Sequence, residues 1–583
     1  MDTDTFSLLD YVIFALFLLI SLAVGIYHAW KAAVQKPQPN SSGQVKTEEF
    51  LMGGRNMPIM PTALSLFATF MSGITVLGMP GEIYLHGALF VVFYISADVA
   101  LIFVALILLP IVHRLKPISV YSYFEYRFGA RVLRQIAAGI FMIYAIFYMA
   151  VVLYSPAVAL SSVTNVPTWP WILIIGLVCT IYTSIGGLKA VVWTDTLQAF
   201  FLYLGVIVMI VKGTMDSGGI QGVFDTAAKY GRTQVLNNWD PNPLQHNSMF
   251  ISMFGGFSFG LVQFGMSQMA VQRYCAMPTL NHARIVIAIS IPCFILLSFI
   301  VAYIGLIMVA YFESECDPLD TGYKADQLVI LFAMRTMGSI PGMPGLFLAC
   351  LFSSTLSTFS SGMNSQAAVL WEDFLKNTFG STISDANTAR LNKLFVLVFG
   401  VLATAMAFAS GPIGGIMKAS FSLLGAVAGP LVGLFMLGML VPRCNSRVCY
   451  ISLAVGVALN VTLCLANFVT QPYRHYRLSV NETCANDATN PMSIVANSRY
   501  GDPEVFALWR LSAYLYPCTG LVTVFVLGLV LSYQIPHGQQ LDATVRRRRL
   551  ALTVWGQRKI RNNETSEKQP NDVDTMPVKE STC

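Results

Sequence analysis

"LSLFATFMSGITVLGMPGEIY", residues 64–84, is apolar enough to cross a membrane but carries Ser and Gly near its middle. The stretch "MFGGFSFGLVQFGMSQMAVQRY", residues 253–274, has the same character. Small residues of this kind can simply let two helices pack closely. Their matching positions instead favour helices broken at mid-membrane, because open backbone is tolerated in a bilayer only where it is buried in protein or lines a cavity.

The composition of the whole chain indicates an all-α polytopic membrane protein. Of its 583 residues, 55% are hydrophobic and 11% are charged, and the mean hydropathy is +0.62. Soluble proteins carry roughly 25% charged residues, and a spanning helix needs about 20 apolar residues. The chain has about thirteen such segments, at residues 9–30, 57–80, 88–111, 137–160, 171–186, 190–211, 248–270, 285–311, 345–370, 394–411, 416–441, 448–469 and 512–533.

Each of the two polar stretches begins a run of five predicted spans. Because five is an odd number, the second run must cross the membrane in the opposite direction, which is the inverted-repeat architecture of many secondary transporters. The predicted regions are 1–56 (extracellular N-terminus, first span and cytoplasmic loop), 57–212 (first repeat), 213–247 (extracellular loop), 248–441 (second repeat), 442–533 (two further helices with a glycosylated extracellular loop) and 534–583 (basic cytoplasmic tail).

The distribution of Lys and Arg predicts an extracellular N-terminus and a cytoplasmic C-terminus. The short inward loops then hold the basic residues, among them Lys189, Arg273 and Arg284, while the four short outward segments 1–8, 81–87, 161–170 and 412–415 hold none. The net charge of +6 is explained by this topology and by anionic lipid headgroups. We therefore expect a bilayer as partner, and no nucleic acid.

The outward loops contain two features that depend on this orientation. Asn481, in "NETC", is the predicted glycosylation site. Cys316 and Cys484 also lie in outward loops, where a disulfide could form, although their spacing does not prove it. No Cys/His pattern has the spacing of a zinc site.

A row of hydroxyl side chains lies in the ninth span, in "FSSTLSTFSSGMNS", residues 352–365. Ser354, Ser357, Thr358 and Ser361 follow the i, i+3, i+4, i+7 spacing of one helix face. Such a face could bind a sodium ion through its oxygens, or it could serve only helix packing. Carboxylates within spans are costly and often functional; Asp195 is a candidate of this kind, while the role of Asp98 is left open.

Several segments resemble the sodium/solute symporter family. "YTSIGGLKAVVWTDTLQ" (182–198) is similar to its signature, and "FLMGGRNM" (50–57), "VQRYCAMP" (271–278) and "SSTLSTFSSGMNSQAAVLWEDF" (353–374) match further blocks in the right order. The resemblance covers roughly residues 8 to 535 and is greatest to the branch that carries monocarboxylates, iodide and vitamins. It implies a leucine-transporter-like core of two inverted five-helix repeats.

The resemblance also implies site residues. Sodium, the co-transported ion, would be bound by the carbonyls of Ala68, Met71 and Ser354 and the hydroxyls of Ser357 and Thr358, with Asp195 at a second, more cytoplasmic cation position. The solute would lie near Ser72, Thr75, Gln263 and Phe264. Thr75 and Gln263 depart from the sugar carriers' residues, so a small organic anion is favoured over a sugar.

These observations predict a plasma-membrane symporter that imports a small, monocarboxylate-like anion with sodium. The alternatives are a vitamin carrier of the biotin or pantothenate kind, an iodide carrier, or a sodium-gated sensor that scarcely transports. No nucleophile–base pair, phosphate loop or metal motif indicates an enzyme. The terminal "ESTC" is a possible weak ligand for a domain that binds C-terminal peptides.

Overall fold

The computed structural model describes residues 7–34, 45–164, 166–314, 317–320, 323–380, 382–409, 416–473, 476–478, 480, 499–535 and 549–554. Within these ranges the chain is almost entirely helical and contains no β-strand. The helices are α1 (Leu8–Val34), α2 (Val45–Met52), α3 (Ile59–Phe70), α4 (Gly73–His86), α5 (Val91–Phe103), α6 (Leu109–Leu115), α7 (Ser122–Phe128), α8 (Arg131–Thr164), α9 (Thr168–Asp216), α10 (Gly219–Lys229), α11 (Met249–Gly260), α12 (Gln268–Cys275), α13 (Leu280–Tyr311), α14 (Ala325–Met337), α15 (Met343–Val369), α16 (Lys376–Phe379), α17 (Asp385–Ala409), α18 (Ile416–Leu440), α19 (Ser446–Thr470) and α20 (Tyr516–Gln534).

The described helices confirm a polytopic all-α membrane protein. Nine of them are long and apolar enough to span a membrane, and there are eleven spans if the bent pairs α3–α4 and α11–α12 each count as one. The sequence predicts thirteen. The two counts differ because the fifth and sixth predicted spans both fall in α9, and because the apolar part of α18 that the structure describes, Leu424–Leu440, is short.

The segment α9 consists of two helices that meet at a kink at Gly187. A straight helix of its 49 residues would be about 74 Å long, more than twice the hydrocarbon core. Gly187 instead has φ +59° and ψ −158°. Trp193 stacks on His28, and a Cβ placed on Gly25 would lie 2.9 Å from Cβ of Tyr182. Residues on both sides of Gly187 thus reach the same end of α1, as two separate spans joined by a tight turn would.

The helix α15 lies at the centre of the described helices, in contact with α1, α3, α8, α9 and α17. Every residue from Phe347 to Val369 is buried. Its hydroxyl groups therefore face other helices and not lipid. The second half of the broken span also packs against α15, because a Cβ on Gly73 would lie only 2.9 Å from Oγ1 of Thr355.

Candidate ion and solute sites

The break between α3 and α4 lies at two residues that leave the helical conformation. Met71 has φ −91° and ψ 79°, and Ser72 has φ −83° and ψ 167°. The two halves meet at 54°. The carbonyl of Phe67 still accepts a hydrogen bond from Met71 N. In the described part of the chain, however, no hydrogen bond reaches the carbonyl of Ala68 or of Met71, so both oxygens are available as ligands.

The hydroxyl face of α15 meets this break. Oγ1 of Thr358 is 2.8 Å from the carbonyl oxygen of Thr69 and 3.1 Å from that of Ser354. Oγ of Ser354 donates to the carbonyl of Leu351 at 2.7 Å. Oγ of Ser357 is fully buried and has no hydrogen-bond partner among the described residues. The structure thus places Thr358 of α15 against Thr69, the residue that follows the predicted ligand Ala68. Ser357 is the predicted hydroxyl ligand for which no hydrogen bond is found among the described residues.

Asp195 of α9 forms a buried ion pair with Arg273 of α12. Nη2 of Arg273 lies 2.9 Å from Oδ2 of Asp195, and both side chains have no solvent exposure. The guanidinium also donates to Ser65 at 2.9 Å, to Ser361 at 2.6 Å and to the carbonyl of Met269 at 2.9 Å. Four helices, α3, α9, α12 and α15, therefore converge on this pair.

The position of Arg273 differs from the sequence prediction, which counted it with the basic residues of the inward loops. It lies within α12 and is fully buried. A charged side chain is tolerated there because Asp195 neutralises it and polar oxygens satisfy its N–H groups. The signal available in the sequence was an Arg inside the second broken span, six residues after its break at Ser267.

The second oxygen of Asp195 is left for another partner. Oδ2 accepts from Arg273 and from Ser65, whose Oγ is 2.5 Å away. Oδ1 is buried without a hydrogen-bond partner among the described residues, and Ser357 lies next to this carboxylate. A buried polar atom left unpaired costs roughly 1–3 kcal/mol. The hydroxyl of Ser357 can donate to this carboxylate, and with a small cation bound both oxygens can serve as its ligands.

The second broken span supplies the other wall of the site. α11 passes into a π-helical turn, Leu261–Gly265, and the following α12 is bent by 53°. Gln263 lies in that turn. A cavity between the two broken spans is lined by Phe70, Ser72, Ile74, Thr75, Tyr94, Tyr148, Phe259, Gln263, Phe421 and Leu424.

Three of the four predicted solute residues line this cavity: Ser72, Thr75 and Gln263. Phe264 does not line it. Its ring packs between those of Phe70 and Phe294, with centroids 5.1 Å away in each case. In a π-helical turn, consecutive side chains point in different directions, which separates Phe264 from Gln263.

Sequence reasoning missed the aromatic wall of the cavity. Tyr94 comes from α5, Tyr148 from α8 and Phe421 from α18, so no local pattern joins them. The ring of Phe421 packs on Phe259 with centroids 4.9 Å apart. None of the ten lining residues is charged.

The remaining sequence predictions have different outcomes. Asp98 is buried in α5, and its Oδ2 has no hydrogen-bond partner within the described ranges. Asn481, Cys316, Cys484 and the C-terminal "ESTC" lie outside the residues that the structure describes.

Comparison with known proteins agrees with this architecture. The model of the sodium:solute symporter family matches residues 50–456. Sodium-coupled monocarboxylate transporter 2 of Danio rerio is 35% identical over 532 residues, which cover 90% of this chain and 83% of the relative. The sodium-dependent multivitamin transporter of Oryctolagus cuniculus is 35% identical over 543 residues, covering 91% and 83%. The solved structure of a Na⁺-coupled sialic acid symporter, in a substrate-bound outward-open state, superposes with a TM-score of 0.73 at 23% identity, over 92% of this chain and 100% of its own; this likeness shows the fold.

Proposed function

The chain belongs to the sodium:solute symporter family, and on that premise we propose that it imports a small organic anion of the monocarboxylate class across the plasma membrane. The family and the relatives support sodium-coupled solute symport as the activity and sodium as the coupling ion. Our proposal adds the class of solute, the plasma membrane as location, and an orientation with the N-terminus outside and the C-terminus inside.

One observation carries the proposal: the proposed ion site and the cavity meet at consecutive residues. The carbonyl of Met71, a proposed ion ligand, accepts no hydrogen bond from the described residues, and the next residue, Ser72, lines the cavity. An ion that orders this break also orders a wall of the cavity, so each ligand should strengthen binding of the other. This is the physical basis we propose for coupling.

The chemistry of the cavity favours an anion whose charge is balanced by sodium. The polar lining consists of hydroxyl and amide groups: Ser72, Thr75, Tyr94, Tyr148 and Gln263. These groups can donate hydrogen bonds to a carboxylate. Since the lining contains no Lys or Arg, the positive charge closest to a bound carboxylate would be the coupled cation at the neighbouring break.

The size of the solute is indicated by the aromatic side chains. Five of the ten lining residues carry large aromatic rings, which limit the room for a solute. This favours a short acid. A vitamin of the biotin or pantothenate kind is the second candidate, because the multivitamin transporter is as similar in sequence as the monocarboxylate transporter.

In the proposed cycle, extracellular sodium binds at the α3–α4 break and prepares the cavity for the solute. Solute binding then closes the site, and the two halves of the fold move to open it to the cytoplasm. The membrane potential drives entry of each net positive charge by about 2.3 kcal/mol per 100 mV.

The test is uptake by cells or proteoliposomes containing the full chain. A panel of lactate, butyrate, nicotinate, biotin, pantothenate and iodide is compared in sodium and in an equal concentration of choline. We expect sodium-dependent accumulation of the short acids against their gradient. Preferential uptake of biotin or pantothenate would select the second candidate, and binding without accumulation would identify a sensor.

A further inference from the structure

A cluster of two histidines and a glutamate lies at the end of α4 that is remote from the break. Glu82 and His86 are one helical turn apart, and Nδ1 of His86 is 2.9 Å from Oε1 of Glu82. His246, from the segment between α10 and α11, places Nε2 3.0 Å from the same oxygen. All three ligand atoms lie within 4.8 Å of one another. The sodium and solute sites use none of these residues.

We propose that Glu82, His86 and His246 bind a zinc ion, and that the bound ion restrains α4 and slows solute uptake. Two histidines with one carboxylate form a recognised ligand set for this metal, with Zn–ligand distances of about 2.0–2.2 Å. In a tetrahedral site, that geometry places neighbouring ligand atoms about 3.3 Å apart. The two separations from Glu82, 2.9 and 3.0 Å, are close to this value, and the two histidine nitrogens lie within 4.8 Å of each other. A water molecule can occupy the fourth position.

The hydrogen bonds of His86 favour a cation at this place. Its Nε2 lies 2.9 Å from the backbone carbonyl of Tyr476, which can only accept, so this nitrogen carries the hydrogen. In the neutral ring, the lone pair of Nδ1 then faces the carboxylate of Glu82, which is also an acceptor. Two acceptors at 2.9 Å need either a proton or a metal ion between them. A carbonyl that fixes the far nitrogen is also the usual support of a metal-binding histidine.

The position of His246 disfavours a positive charge on both rings at once. The ring centroids of His86 and His246 are 4.2 Å apart, so two imidazolium charges would repel each other. A single ion placed between them binds both rings and Glu82 together. The side chains of His86 and His246 keep 11% and 16% of their exposure, so solvent reaches the cluster.

The cluster joins α4 to two other parts of the chain. The backbone N–H of His246 donates to the carbonyl of Arg499 at 2.9 Å, and Ser512 donates to the carbonyl of His246 at 2.7 Å. Glu82 lies two turns along α4 from Thr75, which lines the cavity. An ion held by all three ligands would therefore oppose any movement of α4 away from these segments.

The first experiment measures ⁶⁵Zn²⁺ binding to the purified full chain, prepared without a polyhistidine tag. We expect one ion per chain. Binding should weaken at least about tenfold, the scale on which metal sites respond to loss of a supporting group, in Glu82→Gln, His86→Gln and His246→Gln. It should be unchanged in His282→Gln, whose ring contacts Thr279 at the start of α13. Equal binding by wild type and all three cluster variants would overturn the proposal, as would no binding by wild type.

Two further measurements keep the test decisive. Thermal unfolding without metal identifies any variant that fails to fold. If the other two fail, His246→Gln alone is compared with wild type, since His246 is the most exposed of the three side chains. Co²⁺ added in place of zinc should give the intense visible absorption of a tetrahedral site. A chain that binds neither metal but whose stability varies with protonation of the cluster would hold a proton there, which contradicts the proposal.

The second experiment asks whether zinc slows sodium-dependent uptake; it rests on the proposed function, whereas the binding experiment does not. Zinc should inhibit wild type and His282→Gln but leave His246→Gln active. Zinc binding with no sodium-dependent uptake of any solute would refute the proposed function and leave the metal site standing. Zinc binding without inhibition would refute the proposed restraint on α4.

Discussion

Arg273 and Asp195 pair 2.9 Å apart with no solvent exposure on either side chain. The pair lies where the two broken spans approach α9 and α15, and the oxygen of Asp195 that Arg273 does not contact is unpartnered among the described residues. The arginine thus neutralises the carboxylate and still leaves one face of it for the proposed cation.

Replacing both residues of the ion pair should destabilise the protein less than replacing either residue alone. Arg273→Gln leaves Asp195 as a buried uncompensated charge, and Asp195→Asn does the same to Arg273. Each single change should destabilise the protein by about 3–5 kcal/mol. The double variant removes both charges and should have a higher melting temperature than either single variant. Melting temperatures measured in detergent test this prediction. A double variant whose loss of stability equals the sum of the two single losses would contradict it.

Replacing Ser357 should weaken the binding of sodium without lowering the stability of the protein. Its hydroxyl lies beside Asp195 and has no hydrogen-bond partner at ordinary distance among the described residues, so Ser357→Ala should change the melting temperature little. Removing one oxygen from a bound ion costs roughly 1–3 kcal/mol, so half-maximal uptake should require about tenfold more sodium. Uptake measured against sodium concentration, at matched surface expression, checks this.

Two neighbouring positions on α15 provide controls for Ser357→Ala. Ser360 donates to the carbonyl of Ser357 at 3.1 Å within the same helix, so Ser360→Ala should leave the sodium dependence unchanged. Thr358→Val should shift the sodium curve and also lower the melting temperature, because it removes the bond to the carbonyl of Thr69. An unshifted sodium curve for Ser357→Ala would assign this face of α15 to helix packing alone.

Substitutions of Thr75 and of Phe264 should have different effects, because only Thr75 lines the cavity. Thr75→Gln introduces a longer amide into the cavity and should change the order in which solutes are preferred. Phe264→Leu removes part of a ring packed between Phe70 and Phe294, so it should lower the melting temperature and leave that order intact. Uptake of the solute panel by both variants checks this. A changed order in Phe264→Leu would place Phe264 against the solute.

The orientation of the chain is tested at Asn481. If the loop around it is extracellular, it carries a glycan in animal cells, and Asn481→Gln should abolish the shift in gel mobility that glycosidase treatment produces. Asn563 lies in a second "NET" sequon, in the predicted cytoplasmic tail, and serves as the control, since Asn563→Gln should change nothing. Modification at Asn563 would reverse the orientation.

The sequence predicts the broken spans and the hydroxyl face well because both depend on local composition. Ser and Gly near mid-span indicate the bends of 54° and 53°, and the spacing of Ser354, Ser357 and Thr358 places them on one side of α15. The sequence analysis assigns Arg273 to an inward loop and not to α12, because the positive-inside rule treats each basic residue as part of a loop.

Other features could not be predicted because they join distant parts of the chain. Glu82 and His246 are 164 positions apart, and Phe421 reaches the cavity from α18. No spacing rule connects such residues. Only the packing of the helices brings them within reach of one another.

The polarity of α15 has a consequence for biosynthesis. The span that contains it is the least apolar of the nine described, and nearly all of its most apolar part is buried. The transfer of such a segment into lipid by itself is accompanied by little favourable free energy. Most of the helices that contact it, among them α1, α3, α8 and α9, precede it in the chain, whereas α17 follows it. These preceding helices are synthesised first and can pack against the hydroxyl groups of α15. The helix α15 can therefore enter the membrane against protein and not against lipid alone.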